Sequence, residues 1–102
     1  MSSESSDAIS SNTRFRLLRK LPGRALGHET VFVDPNARRV FSLNSVGGIV
    51  WAAVERGESE GEIVAAVVRR FQVDEPRARR DVDEFLRRLE ALDLAVREEP
   101  TP

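Results

Sequence analysis

Cysteine is absent from the 102 residues, which removes disulfides, thiolate zinc sites, iron–sulfur clusters and cysteine nucleophiles together. That absence fits a reducing compartment. Histidine occurs once, at His28, in a polar stretch with no second ligand nearby. A zinc site needs three or four converging ligands, so His28 reads as an exposed loop residue and neither a metal nor a cofactor is expected. Net charge is almost absent as well, at −1 from 16 basic and 17 acidic residues. Nothing global therefore draws the chain to nucleic acid or to an anionic membrane. No apolar run approaches the ~18 residues of a membrane span, and the N-terminus is serine-rich rather than basic and then apolar. A cytoplasmic protein is expected.

What is present fits one small domain. Apolar residues make up 40% of the chain, enough for one core at this length and too little for two. Stability should be modest unless a partner adds to it. Residues 1–13 hold six serines and two acids, with Ala8 and Ile9 the only apolar residues after Met1; a disordered tail is expected there, a folded domain over 14–97, and a second tail over 98–102.

From Phe15 the texture changes. Phe15, Leu17 and Leu21 alternate with Arg16 and Lys20, the pattern of a half-buried strand closed by Pro22-Gly23. Glu29 to Asp34 is β-branched and aromatic, and stops at Pro35-Asn36. Arg39 to Asn44 is the third extended run, with Phe41 and Leu43 on one side and Val40 and Ser42 on the other. The short turn-rich segment between the second and third runs predicts an antiparallel hairpin, with the first strand as third member of the sheet. Asn44 or Ser45 then caps a buried helix containing Val46, Ile49, Val50, Ala53 and Val54, which Gly57 ends. Ser59 and Glu62 form a capping box ahead of Ile63, Val64, Val67, Val68 and Phe71. Asp74 caps a third helix, with Pro76 in its first turn and an apolar stripe of Ala78, Val82, Phe85, Leu86, Leu89 and Leu92. Leu94-Ala95-Val96 is a candidate for a short final strand. The class is α+β, a three-stranded antiparallel sheet followed by three helices, with a core centred on Phe41, Leu43, Ile49, Val50, Ile63, Val67, Phe85 and Leu89.

Catalytic groupings are missing. Asp81, Asp83, Glu84 and Glu90 interleave with Arg77, Arg79, Arg80, Arg87 and Arg88 at helical spacings, the mark of a salt-bridged solvent face. Gly47-Gly48 lacks the Gly-Lys-Ser/Thr continuation of a phosphate loop and suits close packing against a strand. Trp51, off the centre of its stripe, reads as the edge of the core. A small sheet must leave an edge, however, and an unpaired edge offers N–H and C=O groups to another extended chain. The third strand with the flank Arg79, Asp83, Leu86 and Arg87 of the third helix is the expected binding seam.

The string Val40 to Trp51, with Gly57, Ser59, Glu62-Ile63-Val64, Phe71-Gln72-Val73, Asp81-Val82, Phe85-Leu86 and Leu89, resembles the PqqD-like family of peptide chaperones, also called RiPP precursor recognition elements. The resemblance runs from about Phe15 to Val96. It implies a winged helix-turn-helix-like fold that is not an enzyme but binds the leader of a ribosomally made precursor peptide by strand addition, and delivers it to a modifying enzyme such as a radical SAM protein or a leader peptidase. Carried onto this chain, the binding elements are Arg39, Val40, Phe41, Ser42 and Leu43 with Arg79 to Arg87. Relatives often have Asp-Gly and Gly-Leu where this chain has Arg56-Gly57 and Asp93-Leu94. The competing reading is a winged-helix DNA-binding protein, prompted by the arginines of the third helix; the acids among them would face the same phosphates.

Overall fold

A computed structural model describes residues 8–18, 23–26, 29–34 and 38–98. The element order is β1 (Arg14–Leu17), β2 (Gly23–Leu26), β3 (Glu29–Asp34), β4 (Arg39–Leu43), α1 (Ser45–Glu55), α2 (Glu60–Phe71), α3 (Glu75–Ala91) and β5 (Ala95–Glu98). The α+β class and the three helices follow the sequence pattern. His28 and residues 35–37, where a turn is expected, lie outside the described residues, as do 1–7 and 99–102.

Two antiparallel sheets form, one of three strands in the order β2-β3-β4 and one of β1 with β5. Here the expected sheet is corrected. The strand at Phe15 does not join the hairpin; it pairs with β5 in the register Arg14↔Glu98 to Leu17↔Ala95. Burial explains the choice: Phe15, Leu94 and Ala95 are all buried, so the chain returning from α3 brings its apolar end against β1 rather than leaving it in water. The third place in the main sheet falls to β2, whose Gly-Arg-Ala-Leu sequence contains no β-branched residue and so gives little strand signal. β2 meets β3 in the register Gly23↔Phe32 to Leu26↔Glu29. Gly23, expected in a turn, is its first residue.

β3 and β4 do form the expected hairpin, paired from Thr30↔Leu43 to Asp34↔Arg39. Phe32 and Leu43 are buried beneath the sheet, whereas Val33 and Val40 are exposed on its other face, as the two-residue period requires.

Each helix begins on a side-chain cap. Asn44 accepts from the Gly47 N–H at 2.8 Å, and Asp74 from the Arg77 N–H at 2.9 Å. Ser59 and Glu62 complete the capping box. Gly57 takes φ of +80° just after α1, where a side chain would be strained. The core is Val50, Trp51, Ala53 and Val54 from α1, Ile63, Val64 and Val67 from α2, Ala78, Val82, Leu86 and Leu89 from α3, with Phe15, Phe32, Leu43, Leu94 and Ala95 from the strands. Ile49 and Phe85, expected at its centre, are only partly buried, and the Phe41 side chain lies outside the described part.

Residues 8–13, expected in the tail, contact the body. Ile9 packs against the core, and the carbonyls of Ser11 and Thr13 accept from the N–H groups of Gly61 and Glu60 at 2.9 and 2.8 Å. At the other end Glu98 pairs with Arg14.

Candidate functional site

Among the described residues the strand β4, last in the order β2-β3-β4, has a partner on one side only. Its outer edge presents unpaired backbone groups, the feature to which an extended chain adds. Beside that edge a cleft runs between β4, the start of α1 and α3.

The cleft has two compartments. One, of about 290 Å³, is lined by Ser42, Leu43, Asn44, Val46, Gly47, Asp81, Glu84, Phe85 and Arg88. The other, of about 190 Å³, is lined by Phe32, Ser42, Leu43, Trp51, Phe85, Arg88, Leu89, Leu92 and Leu94. Ser42, Leu43, Phe85 and Arg88 belong to both and so stand between them. The first compartment is polar, carrying Asp81, Glu84 and Arg88, none of which is held in an ion pair among the described residues. The second is apolar, and Phe32 and Trp51 meet in it with ring centroids 4.5 Å apart at 36°.

Gly47 makes this geometry. A Cβ there would lie 3.2 Å from Phe85 Cε1 and 3.3 Å from the Leu43 Cβ, tighter than ordinary contact. The first turn of α1 can approach both the end of β4 and the Phe85 ring because that Cβ is missing. The close packing expected of the glycine pair is met at this position.

The expected seam separates into two cases. On β4, Ser42 and Leu43 line the cleft. Val40 is 67% exposed on the outer face of the sheet, and only the backbone of Arg39 and Phe41 is described. On α3 the structure turns the other flank toward the strand. Leu86 is fully buried. Arg79 donates to Glu60 and to Glu75, each at 2.7 Å, and so faces α2. Asp83 has a buried carboxylate oxygen beside the same Glu60. Arg87 is exposed and does not line the cleft. The residues present are Asp81, Glu84, Phe85 and Arg88, spaced i, i+3, i+4 and i+7, which form one stripe of a helix. That stripe is visible in the sequence; what was missing is the side on which the sheet lies.

The apolar compartment is not legible in the helical pattern. Trp51, expected at the edge of the core, is 6% exposed and lines a cavity. Its signal was an aromatic residue one position off the α1 stripe, matched by Phe32 on the buried face of β3.

Chemically the cleft suits binding. Among the described residues Ser42 is the only hydroxyl lining it, and no histidine or cysteine does so. Among the described residues no group of three or more His, Cys, Asp or Glu is placed to hold a metal. Nor, among the described residues, is any helix long and apolar enough to cross a membrane.

Comparison with known proteins gives a consistent picture. Residues 29–95 match the family profile PqqD, coenzyme PQQ synthesis protein D. The solved structure of TbiB1 in complex with the TbiA(beta) leader peptide is similar at a TM-score of 0.68 and 28% identity, over 85% of this chain and 99% of that one. A lasso peptide synthetase B1 complexed with the leader peptide is similar at a TM-score of 0.71 and 18% identity, over 81% and 98%. No curated protein matches the chain.

Proposed function

The chain belongs to the PqqD family, and from that premise we propose that it is a non-catalytic recognition protein for the leader of a ribosomally synthesised precursor peptide. The observation that carries this reading is the unpartnered edge of β4 lying along a cleft with an apolar and a polar compartment. An added strand exchanges backbone hydrogen bonds with β4, which are indifferent to sequence, and its alternate side chains enter the cleft, where sequence is read. A large apolar side chain fills the space among Phe32, Trp51, Phe85 and Leu92. A neighbouring residue on the same face of the strand meets Asp81 and Glu84, and Arg88 stands between the two.

The residues proposed to meet the peptide are therefore Ser42, Leu43, Trp51, Asp81, Glu84, Phe85, Arg88 and Leu92, with the backbone of Arg39 to Leu43. The α3 residues first expected there, Arg79, Asp83 and Leu86, serve the packing of α3 instead. In finer terms the architecture is winged helix-turn-helix-like, with α2 and α3 as the helical pair. The peptide is passed to a modifying enzyme in the cytoplasm, such as a radical SAM protein or a leader peptidase. The likeness to TbiB1 with its leader supports the ligand class. No observation favours duplex DNA.

The test is an amide NMR titration of isotope-labelled protein with the leader of the precursor encoded beside its gene, with a DNA duplex in a parallel sample. Shifts should concentrate on Ser42, Leu43, Trp51, Phe85 and Arg88. Perturbation confined to the β1–β5 sheet, or binding of the duplex alone, would discard the assignment.

A further inference from the structure

Glu60 is the one charged residue among the described positions that is fully buried, at 0% exposure. It opens α2, and its backbone N–H is taken by the Thr13 carbonyl. Its Oε1 accepts from Arg79 Nη1 at 2.7 Å. Its other oxygen, Oε2, is buried without a hydrogen-bond partner, and so is Oδ1 of Asp83 on α3. The two carboxyl groups interact directly.

Ionised carboxylates only accept hydrogen bonds. Two of them side by side in a buried space repel and leave acceptors unsatisfied, which is costly. One guanidinium does not neutralise both, because Arg79 is also shared with Glu75 through Nη2 at 2.7 Å. A single proton resolves the conflict: the protonated carboxyl donates to the other, and the remaining negative charge is matched by Arg79. We propose that Glu60 and Asp83 share one proton, and that this proton is the clasp joining the start of α2 to the middle of α3.

The surroundings agree. Asp83 and Arg79, both on α3, are the charged groups acting on Glu60. Glu75 lies behind Arg79, and Glu62 of α2 turns away to the Ser59 N–H and toward Arg14 of β1. The 11–13 segment supplies only backbone carbonyls. Burial first, and Asp83 next, push the Glu60 carboxyl up to about 7, against the opposing pull of Arg79.

The sign follows. In the unfolded chain Glu60 ionises near 4.5, and in the folded protein near 7. Between those values the native state holds more protons than the unfolded state, so stability falls as pH rises through that window. In the folded protein the clasp is closed below about 7 and opens above it, and the stability it lends is lost as pH rises from about 4.5 to about 7.

The test needs no ligand and is independent of peptide binding. Carboxyl-carbon NMR of the full chain should find the Glu60 carboxyl titrating at about 7, and Asp83→Asn should move that titration down. Ionisation of Glu60 below about pH 5 in the wild type would overturn the proposal. In thermal melts the wild type should lose several degrees between about pH 5 and about pH 8. Glu60→Gln and Asp83→Asn each replace the shared proton by an amide donor, so each should remove at least half of that loss. An unchanged loss in both would overturn the clasp. If Glu60→Gln fails to fold, Asp83→Asn and the wild-type titration still decide.

Discussion

Truncating Leu86 and truncating Phe85 should separate folding from binding, although the two are adjacent on one apolar stripe. Leu86 is fully buried, so Leu86→Ala should cost about 2–5 kcal/mol in denaturant unfolding. Phe85 is half-buried and lines both compartments of the cleft. Phe85→Ala should cost less than Leu86→Ala, while weakening leader binding at least tenfold by calorimetry. The reverse order of stabilities would mean that the face of α3 is misread. Gly47→Ala is a second check at this scale. Its Cβ would press on Phe85 and Leu43, so leader affinity should fall even though alanine is the better helix former. The distinction between Phe85 and Leu86 was not legible in the sequence. Periodicity gives the direction of a stripe, but both residues sit on it. Only the position of β4 decides which one borders the cleft.

At the scale of elements, α2 depends on a segment that looks like tail. The N–H of Glu62 goes to Ser59 Oγ, that of Glu60 to the Thr13 carbonyl and that of Gly61 to the Ser11 carbonyl. Turn backbone from before β1 therefore satisfies donors that a helix start leaves open. Ser59→Ala should cost about 1 kcal/mol. Deleting residues 1–12 should lower the melting temperature as well, by freeing the Gly61 donor and removing Ile9 from the core; an unchanged melt would show that these contacts carry no weight. The sequence made α1, α2, α3 and the β3–β4 hairpin legible, because caps, turn residues and apolar period agree there. It did not reveal the partner of β1 or the presence of β2. Pairing of β1 with β5 joins residues some eighty positions apart, and no local signal encodes that choice. The hydrogen bonds from the 11–13 segment to α2 run through backbone carbonyls, which every sequence possesses.

At the scale of the molecule, the binding mode fixes how the protein should respond to ligand and to salt. A small domain of modest stability gains by mass action from anything that binds only its folded form. Leader peptide at about a hundred times its Kd should add about 2.7 kcal/mol. For a domain of this size that corresponds to a rise in melting temperature of roughly 10–20 °C. Affinity drawn from backbone hydrogen bonds and an apolar pocket should change little with ionic strength, since among the described residues the only charges lining the cleft are Asp81, Glu84 and Arg88. Binding through the arginines of α3 to a phosphate backbone would instead fall steeply, with a slope set by the number of phosphates neutralised. Those arginines are poorly placed for that work: Arg79 is committed to Glu60 and Glu75, and Arg88 stands with Asp81 and Glu84. A leader whose cleft-facing residue beside the apolar anchor is basic should bind more tightly than the same leader with an acid there. The difference should shrink on replacing both Asp81 and Glu84 by their amides. Affinities measured for the two peptides against the two proteins, at low and at physiological salt, test this directly, and equal affinities throughout would leave the polar compartment without a part in recognition.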